Sequence, residues 1–242
     1  MPKAKFDSIY HDLKQRIEAD EYAFQSQLPS ENQLTQIYAC SRNTIRRALA
    51  GLATIGYVQA LQGRGVRVIY QPVLQNEFTI GGIESFKESA ERNQMKASTI
   101  VICFEEVTAD KSLAPKTGFP EGTLLYHIRR IRCLDGKALI LDINYFRKDL
   151  VPGLTKAIAT DSIYEYIENT LGMTITTSRR RMTVERATRE DEVFLALGDY
   201  NCLAVISGQT YNADGIQFEY TQSRHQPDYF CFKDTANRKK QV

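Results

Sequence analysis

At 242 residues, with 43% hydrophobic and 25% charged side chains, the chain has the balance of a globular protein large enough for one large domain or two small ones. No uncharged apolar run approaches the roughly 18 residues of a membrane span, and the opening MPKAKFDSIYHDLKQR lacks the apolar core of a secretory signal. Net charge is only +2, and five cysteines (Cys40, Cys103, Cys133, Cys202 and Cys231), without a Cys-x-x-Cys pair, argue against a disulfide framework and a zinc site; free thiols in a cytoplasmic protein, and no metal or cofactor, are expected.

Phe6, Ile9, Tyr10, Leu13 and Ile17 share one face of a first helix. Pro29 followed by Ser30-Glu31-Asn32-Gln33 fits a capping box, so a second helix starts there, with Leu34, Ile37 and Tyr38 as its apolar side. Ser41 caps a third helix, whose apolar stripe is Ile45, Ala48, Leu49, Leu52 and Ile55; Gly56 suits the left-handed position just past its end. The short connection Ala39-Cys40 between two capped helices is a helix-turn-helix arrangement. Residues 57–61 and 66–70 read as strands around the turn Gln62-Gly63-Arg64-Gly65, forming a wing. Pro72 and aperiodic polar residues mark 71–77 as a linker, separating a winged helix-turn-helix domain at 1–70 from a larger domain at 78–242.

In the larger part, 86–93 reads as a helix, and 124–132 and 138–146 as an antiparallel pair around Asp135-Gly136. A short amphipathic helix follows at 161–171, a strand at 174–186, and a helix capped by Thr188 that runs to Leu197. A last hairpin pairs 203–211 with 216–224 around Ala213-Asp214-Gly215. Hairpins separated by helices predict an α+β domain with an antiparallel sheet.

The charge is unevenly placed. Residues 41–70 hold five arginines (Arg42, Arg46, Arg47, Arg64 and Arg67) and no acidic residue, as expected where a small domain meets a polyanion. Ser41, Asn43 and Thr44 open the third helix with short polar groups for base edges and phosphates. Arg42 and Arg46, four apart, share a face and suit a two-point clamp on guanine. Arg47, about 100° around the helix, suits a phosphate. Arg64, between two glycines, suits a narrow minor groove. For any one arginine the alternative is a solvated helix face; two caps, a basic helix start and a Gly-Arg-Gly turn together favour duplex DNA.

Leu28-Pro29-Ser30-Glu31-Asn32-x-Leu34, Ser41-Arg42-Asn43-Thr44-Ile45-Arg46-x-Ala48-Leu49-x-x-Leu52, Gly56-Tyr57 and Gly63-Arg64-Gly65 resemble the GntR family of bacterial transcription regulators. That resemblance implies a winged helix-turn-helix acting in a homodimer on a palindromic operator. It implies that Ser30, Asn32, Ser41, Arg42, Thr44, Arg46 and the wing residues Gln62, Gly63, Arg64 and Gly65 face DNA. Many relatives carry arginine where this chain has Asn32, which weakens the phosphate contact implied there.

Gly82-Ile83-Glu84-Ser85-Phe86-Lys87-Glu88, Arg130-Ile131-Arg132, Asp142-x-x-Tyr145-Phe146, Ser162-Ile163-Tyr164-Glu165-Tyr166-Ile167 and Phe218-Glu219-Tyr220-Thr221-x-Ser223-Arg224-His225 are similar to the ligand-binding UTRA domain of the HutC-like branch. The fold implied is an antiparallel sheet with flanking helices, like chorismate lyase. Arg130 and Arg132 alternate on a strand and point to one face, where two guanidinium groups can grip a phosphate. Lys87 adds a point charge; Asp142 and Glu219 offer acceptors to sugar hydroxyls, and His225 a further polar contact. The resemblance adds Phe86 and Ser162 to the effector site. On spacing alone, cross-strand ion pairs between Arg130/Arg132 and Asp142/Glu219 on an exposed sheet face account equally well for these residues.

Ser85-Phe86-Lys87-Glu88, Leu141-Asp142-x-x-Tyr145-Phe146, Ser162-Ile163-Tyr164-Glu165-Tyr166-Ile167-Glu168 and Phe218-Glu219-Tyr220-Thr221-x-Ser223-Arg224-His225 resemble repressors of trehalose operons in Gram-positive bacteria, which implies release from the operator by trehalose-6-phosphate. An amino-sugar phosphate is the alternative effector. A lyase-like enzyme is a distant alternative: His11 belongs to the first helix and His127 to a strand, only His225 sits among the pocket candidates, and no nucleophile stands beside an evident base, so no catalytic residue is expected.

Overall fold

A reciprocal cap starts the second helix of the N-terminal unit and a one-sided serine cap the third. In the computed structural model, which describes residues 5–71, 79–80 and 82–232, the chain divides into two compact units, one before residue 72 and one after residue 78. Of the linker expected at 71–77, all but Gln71 lies outside the described residues.

The first unit holds α1 (Lys5–Glu18), α2 (Glu31–Ile37), α3 (Arg42–Thr54) and the antiparallel strands β1 (Val58–Leu61) and β2 (Gly65–Val68). The Ser30 hydroxyl accepts from the Gln33 amide while the Gln33 side chain accepts from the Ser30 amide, and Ser41 accepts from the Thr44 amide. These bonds satisfy donors that a helix start otherwise leaves open. Ile9, Leu13 and Ile17 of α1 pack with Leu34, Ile45, Ala48, Leu49, Leu52, Val58 and Val68 in one core. Ile37 and Ile55, expected in the apolar stripes, are instead exposed at the ends of α2 and α3, where the helices outrun the core. Gln27 forms an isolated antiparallel bridge to Arg67 of β2.

The second unit is built on an antiparallel sheet ordered β4-β5-β6-β9-β8-β7. Its strands are β4 (Ala97–Thr108), β5 (Leu124–Leu134), β6 (Lys137–Arg147), β7 (Ile175–Arg186), β8 (Cys202–Asn212) and β9 (Gln217–His225). Two short strands, β3 (Thr79–Ile80) and β10 (Cys231–Phe232), pair in parallel apart from it. The helices are α4 (Phe86–Arg92), α5 (Leu113–Thr117), α6 (Lys156–Thr160), α7 (Ile163–Glu165) and α8 (Arg189–Phe194). The helix expected at 161–171 is shorter than its pattern: α7 runs into a π-helical turn over Tyr166–Thr170. The helix expected to reach Leu197 stops at Phe194, because Leu195 takes an extended backbone and enters the core.

One face of the sheet packs Tyr126, Ile128, Phe146 and Val101 on Val151, Ala159, Ile163 and Ile167, the region of α6 and α7. The other packs Ile131, Leu141, Leu203 and Val205 on Leu195 and Leu197, just past α8. β4 has no counterpart in the sequence reading. Its register slips between Val101 and Cys103, and such a bulge breaks the alternation that marks a strand.

Ala39, in the turn between α2 and α3, holds φ at +44°, a left-handed conformation that a side chain disfavours by about 1–2 kcal/mol. Glycine removes that penalty but is more flexible when unfolded, by about 0.5–1 kcal/mol. Ala39→Gly is expected to stabilise the first unit by roughly 0.5 kcal/mol, read as a higher urea midpoint with an unchanged slope; a lower midpoint contradicts the strain.

Candidate functional site

Ten of the eleven residues expected at DNA are exposed: Ser30, Asn32, Ser41, Arg42, Asn43, Arg46, Gln62, Gly63, Arg64 and Gly65; Thr44 is half-buried. The Thr44 and Ser41 hydroxyls share a 2.9 Å hydrogen bond, part of the cap itself. Arg46 differs from the sequence expectation in having a partner: its Nε donates to both oxygens of Glu31 at 2.9 and 3.1 Å. That grip on Nε orients the side chain. Arg47, expected on a phosphate, stacks over the Phe6 ring at 3.7 Å and is engaged with α1. Gly63 and Gly65 have φ of +70° and +90° with open space where a Cβ would stand, so the wing tip turns tightly and bares the backbone around Arg64.

The second unit contains a cavity against the sheet face that carries α4 and α7. All eight residues expected to meet an effector line it: Phe86, Lys87, Arg130, Arg132, Asp142, Ser162, Glu219 and His225. Register explains why. Arg130 lies opposite Asp142 on β6, which lies opposite Ser223 on β9; Ile140 lies opposite His225, and Phe146 opposite Glu219. With side chains alternating, these rungs aim at one face.

The two readings of the arginines are both partly realised. Arg132 is ion-paired, its Nε 2.7 Å from Asp142 Oδ2, and its Nη1 donates to Thr99 at 2.8 Å. The Phe86 ring lies 4.9 Å from its guanidinium carbon. Arg130 has no carboxylate partner among the described residues: it donates to Asn144 Oδ1 at 2.9 Å and, at 3.4 Å, to the Ala159 carbonyl, and its Nε is buried without a partner. Glu219 accepts from the Tyr164 hydroxyl at 2.6 Å and from Asn144 at 3.1 Å, so it is not an arginine's ion-pair partner. The pairs therefore sit in a cavity wall, not on an exposed face: Arg130, Arg132, Asp142 and Glu219 are all buried.

Burial sets the protonation of this wall. It pulls the Arg130 pKa down to about 9, with the Arg132 charge acting in the same direction. Burial opposes the Asp142 charge, yet the Arg132 and Arg130 guanidinium groups prevail and hold its pKa below the ordinary value. Glu219 is pushed up by desolvation in spite of its hydrogen bonds. His225 is buried with both ring nitrogens unpartnered, and desolvation lowers its pKa to about 4, so it is neutral near pH 7.

Two expected residues are committed elsewhere. Lys87 Nζ lies 3.2 Å from Glu165 and 3.6 Å from Asp161 at the rim, and Ser162 Oγ accepts from the Glu165 amide to cap α7. The sequence reading assigned no role to Ser89, Asn144, Tyr164, Arg180, Thr221 or Ser223, which also line the cavity. Two of these were within reach of strand alternation: Glu219, Thr221, Ser223 and His225 are four polar residues at every second position of β9.

Comparison with known proteins agrees with this architecture. The family model for bacterial regulatory proteins of the gntR family matches residues 5–68, and that for the UTRA domain matches residues 92–231. The chain is 37% identical over 236 residues to the HTH-type transcriptional regulator TreR of Bacillus subtilis (strain 168), covering 98% of each. The solved effector binding domain of the B. subtilis trehalose repressor (TreR) is 35% identical, with a TM-score of 0.53, covering 59% of this chain and 99% of that one. The B. subtilis regulator YydK, 21% identical, shares the fold with a TM-score of 0.79 over 97% of this chain and 100% of its own. The expected α+β fold, a GntR-type DNA-binding unit with a UTRA domain, is borne out, and these relatives are regulators, not enzymes. Among the described residues no helix is long and apolar enough to cross a membrane.

The neutral His225 has a consequence for acid stability. Its pKa is lower folded than unfolded, so the unfolded chain binds the extra proton and stability falls as pH drops from 6.5 toward 4. Glu219, with a raised pKa, acts in the opposite sense, so wild type must be compared with His225→Asn. Urea titrations across that window are expected to show about 3 kcal/mol of acid destabilisation that His225→Asn lacks. Equal slopes in the two proteins contradict a buried neutral imidazole.

Proposed function

The chain belongs to the GntR family of bacterial regulatory proteins and carries a UTRA domain, and on that premise we propose that it represses a sugar-utilisation operon in the cytoplasm. It binds a palindromic operator as a homodimer and is released by a sugar phosphate, trehalose-6-phosphate. The observation that carries the effector reading is Arg130, a buried guanidinium that makes no ion pair among the described residues, has an unpartnered Nε and faces a cavity rich in hydroxyl and carboxylate groups. A phosphate supplies the missing anion in the fork geometry a guanidinium favours. Asp142, Ser223, Thr221 and the neutral His225 suit the hydroxyls of a sugar. The choice of trehalose-6-phosphate rests on likeness to the trehalose repressor of B. subtilis.

At the other end, α3 enters the major groove by its N-terminus. Arg42 and the Glu31-oriented Arg46 read base edges, with Ser30, Asn32, Ser41, Asn43 and Thr44 on bases or phosphates; Gln62, Gly63, Arg64 and Gly65 bring the wing to the minor groove. Release requires that the effector prefer a state with poor operator affinity; equal affinity for both states shifts nothing.

Fluorescence anisotropy with operator DNA tests both ends. Saturating trehalose-6-phosphate is expected to abolish operator binding, and unchanged binding overturns the effector assignment. Arg130→Met should hold the operator like wild type yet bind the effector about tenfold to a hundredfold more weakly, as expected for losing hydrogen bonds between charged groups. Arg42→Ala should do the reverse, weakening the operator about tenfold or more while leaving effector affinity intact. Loss of both affinities in either variant contradicts the division of labour.

A further inference from the structure

The face of the sheet opposite the cavity carries a cluster that the regulator does not use. We propose that Cys103, Glu105 and His127 form a binding site for a borderline divalent metal ion of the zinc type. Their ligand atoms, a sulfur, a carboxylate oxygen and a ring nitrogen, all lie within 4.8 Å of one another. Ligands of a tetrahedral zinc ion stand about 3.5 Å apart, so small side-chain rotations close the site.

The backbone explains why these three meet. Glu105 lies opposite His127 across β4 and β5, and Cys103 opposite Arg129 two residues along. Ahead of them Val101 lies opposite Arg130 and packs with the cavity-face core, whereas Ile102 packs with the core on the other face. The register slip between Val101 and Cys103 puts two successive side chains on one side. It thereby turns Cys103 and Glu105 away from the cavity and onto the face of His127; without it both would follow Val101. Bulges recur where a side chain has to be re-aimed.

The surroundings suit a cation. His127 Nδ1 lies 2.7 Å from Glu105 Oε1, and its ring is stacked on Tyr145 with centroids 4.6 Å apart and planes 6° from parallel, which fixes the imidazole. Arg129, the nearby positive charge, is ion-paired with Glu190 of α8. Glu105 is exposed, leaving the fourth position open to water. A thiolate, an imidazole and a carboxylate are the donor set that zinc or cobalt(II) accepts and that magnesium or calcium does not. The Cys103 thiol proton leaves to buffer on binding.

Cobalt(II) chloride, titrated into the reduced, metal-free full chain, gives the readout. One equivalent per chain should produce a near-ultraviolet thiolate-to-cobalt band and the visible bands of tetrahedral cobalt, both bleached by one equivalent of zinc chloride. Cys103→Ser should lose the ultraviolet band although four cysteines remain, and Glu105→Gln should weaken zinc binding about tenfold or more. Circular dichroism checks that each variant folds, and His127→Gln replaces Cys103→Ser if the latter does not. No thiolate band in wild type, or an undiminished band in Cys103→Ser or in the His127→Gln variant that replaces it, overturns the proposal.

Discussion

Two like charges are buried side by side in this protein. Arg130 and Arg132 sit two residues apart on one face of β5, hence about 7 Å apart along the strand. At that distance their repulsion is about 2 kcal/mol under the effective screening of a protein interior. Asp142 offsets one charge by direct pairing with Arg132, and Asn144, Thr99 and the Ala159 carbonyl supply dipoles but no second negative charge. Glu219, the second carboxylate of the wall, bonds to Tyr164 and Asn144 and pairs with neither arginine, so Arg130 is buried with hydrogen bonds but no ion pair, and burying a charge without direct pairing is costly. The anionic effector proposed above would supply that missing ion pair.

The rest of the second unit is arranged around that constraint. On the cavity side, β6 and β9 contribute polar side chains that hydrogen-bond one another, as in Asn144 with Glu219 and Thr221, and Ser223 with Asp142. On the far side the same strands carry a satisfied ion-pair cluster. Arg224 donates to both oxygens of Asp191 at 2.8 and 2.9 Å and to Glu185 at 2.7 Å. Asp191 also closes the Thr188 cap of α8, tying helix and sheet together. Arg224 and Arg130 thus have opposite roles one sheet thickness apart: Arg224 finds two carboxylates and is structural, whereas Arg130 finds none and is open to a ligand.

The DNA-binding unit distributes its arginines by the same logic. Arg42, Arg46, Arg47 and Arg64 are all exposed, but Arg47 is held on Phe6 and Arg46 is gripped by Glu31. Arginines already oriented lose less side-chain freedom on meeting a duplex than free ones do. A helix cap, a cation–π contact and an ion pair together decide which guanidinium groups are presented.

What the sequence by itself determined was local. Ser30, Ser41 and Thr188 were legible as caps because a cap is satisfied within four residues, and α1 and α3 because an apolar face repeats every 3.6 residues. The shared face of Arg130 and Arg132 followed from the pleat alone. Only the tertiary structure decided what those arginines meet. Asp142 and Asn144 are 10 and 14 residues away from their arginine partners, and Glu219 is 75 from Asn144, so the register of paired strands, with its bulges, sets each contact. β4 was illegible because its bulge breaks the period-two signal, and the same bulge gathers Cys103, Glu105 and His127, whose spacing carries no metal-ligand pattern. Burial, which neutralises His225 and leaves Arg130 seeking an anion, is a property of the closed wall and of no single segment.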